Sequence, residues 1–337
     1  MRRTVRAWMF LMLCVVVVTG VFAGGGSEQS ASTQDTMVLR FGSVNPPSHP
    51  FVRGANRFAE LVAEKSEGRI TVDIYDSGQL GSVQDHIQNT QTGALDMTMM
   101  QPGSLVDLGY TDLNVVSLPF IFRDKDHGWE FVASDLGVSM LDGMGGAGTR
   151  LVGVGYYVES PRNMFFRNRP VTTLDDMQGL RVRVQIIDLF VDMMEALGAS
   201  ATPIEWAELY SALQTGVVDA AENPYTGYYN NRLFEVAPYY TLTGHEGSPV
   251  VTAMSQITWN RLSTADRQLI RDAWTESGYY FREILEEAEQ EIIANLLAAG
   301  VEIHELEDRQ RWIDAMAPVY AKYGAGLESM IREIQGM

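Results

Sequence analysis

A stretch near the C-terminus has the pattern of one very long helix. It starts at Ser263-Thr264-Ala265-Asp266, a sequence typical of a capped helix start, and contains no proline before Gly300. Small or apolar side chains recur every three or four residues, at Leu269, Ala273, Ser277, Phe281, Leu285, Ala288, Ile292 and Leu296. About 36 residues in a straight helix span roughly 54 Å, about three times the usual length. A helix over about 263–299 would be longer than one lobe is wide, so we expect it to contact two lobes. Two helices broken near Gly278 are the alternative.

Strand and helix patterns alternate through the rest of the chain. Strands are predicted at 38–41, 70–75, 95–100, 150–157, 164–167, 181–184 and 218–221. Helices are predicted at 51–62, 83–92, 187–197 and 207–214. This alternation indicates an α/β fold with largely parallel sheets and helices on both faces, in two lobes without a Pro- or Ser-rich linker between them. Ligands of such sheets bind beyond the carboxyl ends of the strands, here in loops 43–50 and 100–104.

The first 23 residues have the organisation of an export signal. Arg2, Arg3 and Arg6 precede an apolar run at 7–18, and 21–23 form a small-residue cleavage site. As a helix this run is about 18 Å long, short of the ~30 Å hydrocarbon core, so a permanent anchor is the weaker interpretation. We therefore expect a signal peptide over 1–23, cleaved near Ala23, followed by a flexible polar leader over 24–37.

Charge and motif content argue against several classes of function. The chain has 25 basic and 43 acidic residues, a balance that disfavours a nucleic-acid partner. Its five histidines are scattered without metal-ligand spacing, so a zinc site is not expected. The glycine-rich segment 143–148 does not link a strand to a helix, as dinucleotide binding requires. Neither a metal nor a cofactor is predicted.

Polar residues at predicted strand ends are the remaining candidates for chemistry. Arg181 and Arg183 alternate with apolar residues in the strand 181–184 and therefore share one of its faces. A guanidinium at such a position can hold a carboxylate through two charge-assisted hydrogen bonds. A solvent-facing arginine pair is the alternative. Asn223, before Pro224, either points its amide into a cleft or forms an ordinary turn.

Arg162, Arg183, Trp206 and Asn223 belong to a series of motifs that resembles the substrate-binding subunits of TRAP (tripartite ATP-independent periplasmic) transporters, the DctP-like family. The motifs are SGQLGS (77–82), TGALDM (92–97), LPFIFRD (118–124), RNMFFRNRPV (162–171), DDMQGLRVRV (175–184), ALGASATPIEWAELYSALQTGVVDAAENP (196–224) and YYTLTGH (239–245). They follow the family's order over almost the whole chain that remains after the signal peptide.

The resemblance implies a two-lobed periplasmic binding protein-like α/β fold with mixed β-sheets, a cleft between the lobes and a long helix spanning both. Lobe I is expected at 38–158 plus 249–287. Lobe II is expected at 159–248 plus 288–337. The mature protein is expected in the periplasm.

The resemblance also implies roles for particular residues. Arg183 aligns with the arginine that pairs with the ligand carboxylate, Arg162 with an arginine that closes over the ligand from the other lobe, and Asn223 with the family's cleft asparagine. Trp206 would cover an apolar or sugar face, with plain lobe packing as the alternative. Six more candidates lie in segments that commonly line the cleft, with a surface-loop position as the alternative for each: His49, Gln101, Ser104, Gln185, Asp188 and His245. Relatives often carry Glu-Arg where this chain has Val83-Gln84.

The segment that follows Arg183 is similar to family members that take sugar acids, so we expect a uronate such as glucuronate or galacturonate. A C4-dicarboxylate held by Arg162 and Arg183 is the alternative, with Asp188 as a repulsive neighbour. The implied partners are the small and large membrane subunits of the transporter, and no enzymatic activity is expected. Three other classes are weaker: an ABC-type binding protein needs a different connectivity, a secreted sugar-acid lyase needs a catalytic base, and an adhesin binds no small ligand.

Overall fold

The computed structural model describes residues 36–337, which form two β-sheets flanked by helices. The strands are β1 Met37–Gly42, β2 Ile70–Tyr75, β3 Met97–Met100, β4 Leu151–Tyr157, β5 Arg162–Phe166, β6 Arg181–Val184, β7 Ser200–Pro203, β8 Ala220–Asn223, β9 Tyr239–Glu246, β10 Val250–Ser255 and β11 Glu302–Glu305. The helices are α1 Pro50–Lys65, α2 Val83–Thr92, α3 Pro102–Val106, α4 Asn114–Ser117, α5 Lys125–Ala133, α6 Asp135–Gly143, α7 Asp188–Ala196, α8 Leu209–Thr215, α9 Tyr225–Asn230, α10 Gln256–Arg261, α11 Thr264–Ala298, α12 Arg309–Ala315, α13 Ala317–Tyr323 and α14 Glu328–Gln335. The predicted signal peptide lies outside the described residues, as does the predicted leader except for its last two residues, of which Met37 begins β1.

Each sheet contains one strand that runs against the others. The first sheet has the order β2-β1-β3-β10-β4, and β10 is antiparallel to both of its neighbours. The second has the order β11-β9-β5-β8-β6-β7, and β5 is antiparallel to β8 and β9. These reversed strands are the ones that arrive from the other sheet, because β5 follows β4 and β10 follows β9 along the chain. The two-lobed α/β fold with mixed sheets is thereby confirmed. The expectation of largely parallel sheets holds for the strands other than β5 and β10.

The two lobes are joined by short segments and by one helix. Residues 158–161 lead from β4 in the first sheet to β5 in the second, and residues 247–249 lead back from β9 to β10. Helix α11 then passes both cores. Trp274 and Phe281 are buried in the core beneath the first sheet, whereas Leu296 is buried in a core of the second.

The long predicted helix is confirmed as a single element, α11, with no break at Gly278. Its N-cap is Ser263, whose Oγ accepts a hydrogen bond from the Asp266 amide at 3.1 Å. Among the recurring small or apolar side chains of α11, Ser277 is polar. Its buried Oγ lies 2.8 Å from the Tyr157 hydroxyl. The Tyr157 ring in turn stacks on Phe281, with 4.3 Å between the ring centroids. The stacked rings of Tyr157 and Phe281, together with the buried contact between the Tyr157 and Ser277 hydroxyls, therefore hold the helix against β4.

The last helix packs on a different lobe from the one assigned by the sequence analysis. Ile334 of α14 is fully buried in a core cluster of the first lobe that includes Leu113 and Phe131. Its carbonyl oxygen lies 2.7 Å from Nε2 of His127 on α5. The prediction that 288–337 belongs to the second lobe does not hold for α14, because the chain crosses back after α13.

Candidate functional site

A cavity of about 130 Å³ lies between the two lobes, at the ends of strands from both sheets. The loops that follow β1 and β3 form its first-lobe wall, and the segments that follow β6, β7 and β8 form its second-lobe wall. This is the edge at which α/β sheets commonly bind ligands. Eight of the predicted site residues line it: Arg183, Arg162, Asn223, Trp206, His49, Gln185, Gln101 and Ser104.

Arg183 is a buried cation whose guanidinium is incompletely hydrogen-bonded within the described residues. It is the third residue of β6 and only 3% exposed. Its Nε donates to the carbonyl oxygen of Ile204 at 2.8 Å, and its guanidinium lies 5.5 Å from the centre of a Trp206 ring. Nη1 is buried and donates to no atom of residues 36–337. Burial, opposed by the nearby Glu222, lowers the pKa of Arg183 to about 10, so it remains a cation at neutral pH.

Arg181 lies on the same face of β6 and has a different environment. It is exposed, and its Nη2 and Nε donate to the two carboxylate oxygens of Asp219 at 2.7 and 2.9 Å. The alternative of a solvent-facing arginine pair therefore describes Arg181 and not Arg183. The difference arises because β6 enters the sheet at Arg181 and ends beneath the cleft.

Arg162 is buried and already holds a carboxylate of this chain. Its Nη2 donates to Oε1 and to the carbonyl oxygen of Glu222, both at 3.0 Å, and its Nε donates to Oε2. A second carboxylate, that of Glu246, lies 3.9 Å from Nε. Because β5 and β6 belong to the same sheet, Arg162 approaches from the same lobe as Arg183. The expectation that Arg162 closes over a ligand from the other lobe is therefore wrong.

Asn223 and Trp206 complete the second-lobe wall. Asn223 is the last residue of β8, and its carbonyl oxygen accepts a hydrogen bond from the Tyr240 hydroxyl at 2.9 Å, which fixes the strand end. Trp206 begins a short 3-10 helix, Trp206–Glu208, after β7. Its ring covers the Arg183 guanidinium, so it both packs in the lobe and faces the cavity.

The first-lobe residues that line the cavity are neutral. His49 caps α1, and its Nδ1 accepts a hydrogen bond from the Phe51 amide at 3.2 Å. Burial lowers the pKa of His49 to about 3, so the ring is neutral and its proton sits on Nε2, towards Glu159 at 4.0 Å. Gln101 Oε1 accepts a hydrogen bond from Ser248 at 3.1 Å, and Ser104 lies on α3. These groups can donate and accept hydrogen bonds without adding charge.

Two predicted site residues lie outside the cavity. Asp188 is exposed at the first turn of α7, because the chain turns away from the cavity after Ile187. His245 is buried on β9, where Nδ1 lies 2.7 Å from the Thr243 hydroxyl and Nε2 lies 3.8 Å from Glu222 Oε2. It stands behind the carboxylate that holds Arg162 and does not line the cavity.

Two carboxylates in the cavity wall were missed by the sequence analysis. Glu159, in the segment that joins β4 to β5, accepts a hydrogen bond from Thr226 Oγ1 at 2.6 Å, and burial raises its pKa to about 7. Glu205 follows β7, and burial also raises its pKa. Gln84 is one of the two residues at which the sequence departs from many relatives. With its side-chain amide oriented so that the NH2 group faces Glu205, Gln84 donates to the two carboxylate oxygens of Glu205 at 3.0 and 3.2 Å. The sequence does carry a signal for Glu159, since it is a single acidic residue just after the predicted apolar strand 150–157.

Comparison with known proteins identifies the family. A model described as bacterial extracellular solute-binding protein, family 7, matches residues 41–326. The chain belongs to this family. A solute-binding protein of Chromohalobacter salexigens is 36% identical over 296 residues, which are 87% of each chain.

Two solved structures are similar over most of the chain. A TRAP periplasmic solute-binding protein from Bradyrhizobium sp., crystallised with galacturonate, is 36% identical with a TM-score of 0.85, over 89% of this chain and 99% of that one. A TRAP periplasmic solute-binding protein from Pseudomonas putida F1, with bound D-glucuronate, is 32% identical with a TM-score of 0.86, over 89% of this chain and 97% of that one. The chain is therefore a TRAP-type solute-binding protein of family 7, a family of periplasmic transport proteins.

Two further observations concern the part of the family 7 chain that the structure describes. Within residues 36–337, no three His, Cys, Asp or Glu side chains converge as a metal site would require. Over the same residues, no helix has the length and apolar character needed to cross a bilayer.

Proposed function

We propose that this family 7 protein captures a uronate, such as glucuronate or galacturonate, in the cleft between its lobes. The observation that carries the proposal is the buried guanidinium of Arg183, which lines the cavity and whose Nη1 has no hydrogen-bond partner among the described residues. A carboxylate would accept charge-assisted hydrogen bonds from it, and attraction between the two charges is strengthened where water is excluded. The ligand would supply the anion that Arg183 lacks within 4 Å among the residues that the structure describes.

The rest of the cavity wall favours a sugar acid over a simple fatty or keto acid. Trp206 offers an aromatic face, while Asn223, Gln185 and Ser104 offer neutral hydrogen-bonding groups suited to hydroxyls. Glu159 adds a carboxyl group that can accept from a hydroxyl. The relatives with bound glucuronate and galacturonate support the same ligand class.

A C4-dicarboxylate fits this cleft less well. It would require two free cations, but the Arg162 charge is balanced by Glu222, with Glu246 also nearby. Arg183 is the one cavity-lining arginine of the described residues without a carboxylate partner within 4 Å. A ligand with one carboxylate therefore matches the charges better than a ligand with two.

Binding in this cleft would be coupled to movement of the lobes. The cavity takes wall residues from both lobes, so a ligand that contacts both shifts the equilibrium towards the closed form. We infer that the closed form is delivered to the small and large TRAP membrane subunits, that the chain reaches the periplasm by cleavage near Ala23, and that the ligand is released chemically unchanged.

A thermal-shift screen of the purified protein tests the ligand class. The panel contains uronates, aldonates, C4-dicarboxylates and keto acids, and we expect glucuronate or galacturonate to raise the melting temperature most. If dicarboxylates alone raise it, the uronate assignment is wrong. Recovery of the uronate unchanged after incubation separates binding from a lyase activity, which would generate an unsaturated, ultraviolet-absorbing product.

A further inference from the structure

A second, larger cavity adjoins the uronate cleft. Its volume is about 500 Å³, within the range of about 300 to 1,000 Å³ that is usual for ligand pockets. It shares Val44, Val83, Glu205 and Trp206 with the cleft, so the two spaces border each other at these side chains. The proposed binding of a uronate at Arg183 does not use this space.

Both lobes form the walls of the second cavity. The first lobe contributes Ser77, Gly78, Gly81 and Ser82 from the loop between β2 and α2. Gly78 has φ +69° and Gly81 φ +107°, backbone conformations that favour glycine. The loop therefore presents no side chain at these two points of the cavity wall. The SGQLGS motif, which has no role in the cleft itself, therefore shapes the second cavity.

The second lobe contributes two aromatic side chains that are about one helical turn apart. Trp206 and Tyr210 lie four residues apart along the 3-10 turn and α8, and both line the cavity. The Tyr210 hydroxyl donates to Glu235 Oε2 at 3.0 Å, which holds its ring in place. Asn231 adds an amide on the same side.

The lining chemistry selects a neutral polyhydroxylated group. None of the described residues that line the second cavity is Arg, Lys or His, and Glu205 is the one acid among them. A second carboxylate would therefore find no cation there. Aromatic faces accommodate the C–H faces of a sugar ring, while serine hydroxyls, the Asn231 amide and Glu205 can bond to its hydroxyls.

We propose that the second cavity binds a second sugar ring, and that the ligands of this protein include uronates joined through a glycosidic bond to another sugar. The carboxylate-bearing ring occupies the cleft at Arg183, and the linkage passes beside Trp206 and Glu205. This inference rests on the proposed uronate binding, because the first ring fixes the position of the second.

Titration calorimetry with matched pairs of ligands tests the inference. Galacturonate is compared with an α-1,2-linked galacturonosyl-rhamnose, and glucuronate with a β-1,4-linked glucuronosyl-glucose, so that the second ring of each disaccharide carries no charge. For the uronate that binds as a monosaccharide, we expect the disaccharide to bind at least as tightly. A disaccharide that binds more than tenfold more weakly than its monosaccharide overturns the second subsite and leaves the uronate assignment intact. If none of the four compounds binds, the proposed function itself fails.

Substitution of Tyr210 locates the second ring. We expect Tyr210→Ala to weaken disaccharide binding about tenfold, the scale of one lost aromatic contact, and to change monosaccharide binding less than twofold. Tyr210→Phe keeps the ring and removes only the hydroxyl that contacts Glu235, so it should retain the disaccharide affinity. Equal loss for both ligands, or no loss for either, places the second ring elsewhere and contradicts the proposal.

Discussion

Burial distinguishes Arg183 from Arg181, the other arginine of its strand. Arg181 forms an ion pair with Asp219 at the surface. Arg183 instead donates to a backbone carbonyl and packs on an aromatic face, and Glu222 acts on it only from a longer distance. A desolvated guanidinium in such surroundings is costly unless an anion joins it. In the proposed function, the ligand carboxylate is the anion that offsets this cost.

Removal of the Arg183 charge should abolish most of the affinity. Loss of one partner of a buried, hydrogen-bonded ion pair costs about 3 to 5 kcal/mol, so Arg183→Ala should weaken uronate binding by about two to three decades or more. Arg183→Lys should also be damaging because it loses the bidentate geometry. Arg181→Ala is the matched control on the same strand and should bind as the wild type does. A loss below fivefold for Arg183→Ala in titration calorimetry would exclude the assigned role.

Glu159 should make stability depend on pH. Burial raises its pKa to about 7 from an ordinary 4.5, so the folded protein keeps a proton that the unfolded chain releases between these values. Stability contributed by this group is therefore present below pH 4.5 and lost as the pH rises through 7. We expect Glu159→Gln to have a shallower fall in melting temperature from pH 5 to pH 8 than the wild type.

The control for this experiment is Glu283→Gln, which changes an exposed carboxylate on α11 and should keep the wild-type slope. Glu246 retains part of the slope in Glu159→Gln, because burial raises its pKa to about 7 as well. Parallel curves for the wild type and Glu159→Gln would contradict the assignment.

The sequence indicates site residues where local pattern and position coincide. Arg183 and Asn223 end short strands, and strand ends meet at the ligand edge of an α/β sheet, so both could be placed from the chain alone. Glu205 could not, because its environment depends on Gln84 from the other lobe. Asp188 and His245 are close in sequence to cleft residues but lie outside the cavity. The start of α7 directs the Asp188 side chain away from the cavity, and the pleat of β9 does the same for His245.

At the scale of elements, α11 is the part of the fold that the sequence defines best. Its start signal, its spacing and the absence of proline all act locally, so they predict a helix without knowledge of its neighbours. The position of α14 could not be derived in this way. Its packing depends on contacts with α5, about 200 residues earlier in the chain, and no local pattern encodes that choice.

Gly278 provides a test of α11 as one continuous helix. A Cβ added there would meet no atom within 4 Å, and glycine inside a helix is less stable than alanine by about 0.5 to 1 kcal/mol. Gly278→Ala should therefore raise the free energy of unfolding by about that amount, measured by urea denaturation. Gly278→Pro should lower it by about 3 kcal/mol or more, because proline removes a helical hydrogen bond and clashes with the preceding turn. Tolerance of proline at this position would indicate that the helix is interrupted.

At the scale of the whole molecule, the two lobes touch directly across the cleft. Ser48 of the first lobe donates to Asn230 of the second at 2.7 Å. A Cβ at Gly103 would lie 2.6 Å from Ile187 Cγ2, so the approach of the lobes at this point requires glycine. Gln84 and Glu205 form a third contact. We infer that these contacts belong to the closed form and are broken when the cleft opens.

Loss of one cross-cleft bond should shorten the lifetime of the closed complex. A hydrogen bond to a partly exposed carboxylate contributes about 1 kcal/mol, so Gln84→Ala should increase the dissociation rate of the uronate about fivefold. The association rate should change little, because the bond forms after the ligand has entered. Gln88→Ala, on the exposed face of the same helix, is the control for stopped-flow measurements. A slower association with unchanged dissociation would contradict a role in closure.

The path of the chain also limits how such a protein can diversify. Each lobe is assembled from separate stretches of sequence, and α11 supplies side chains to the cores of both. Exchange of a single gene segment between two relatives would therefore join half of one core to half of another. New ligand preferences in this architecture are expected to arise from point substitutions in the loops around the cleft and not from recombination of whole lobes.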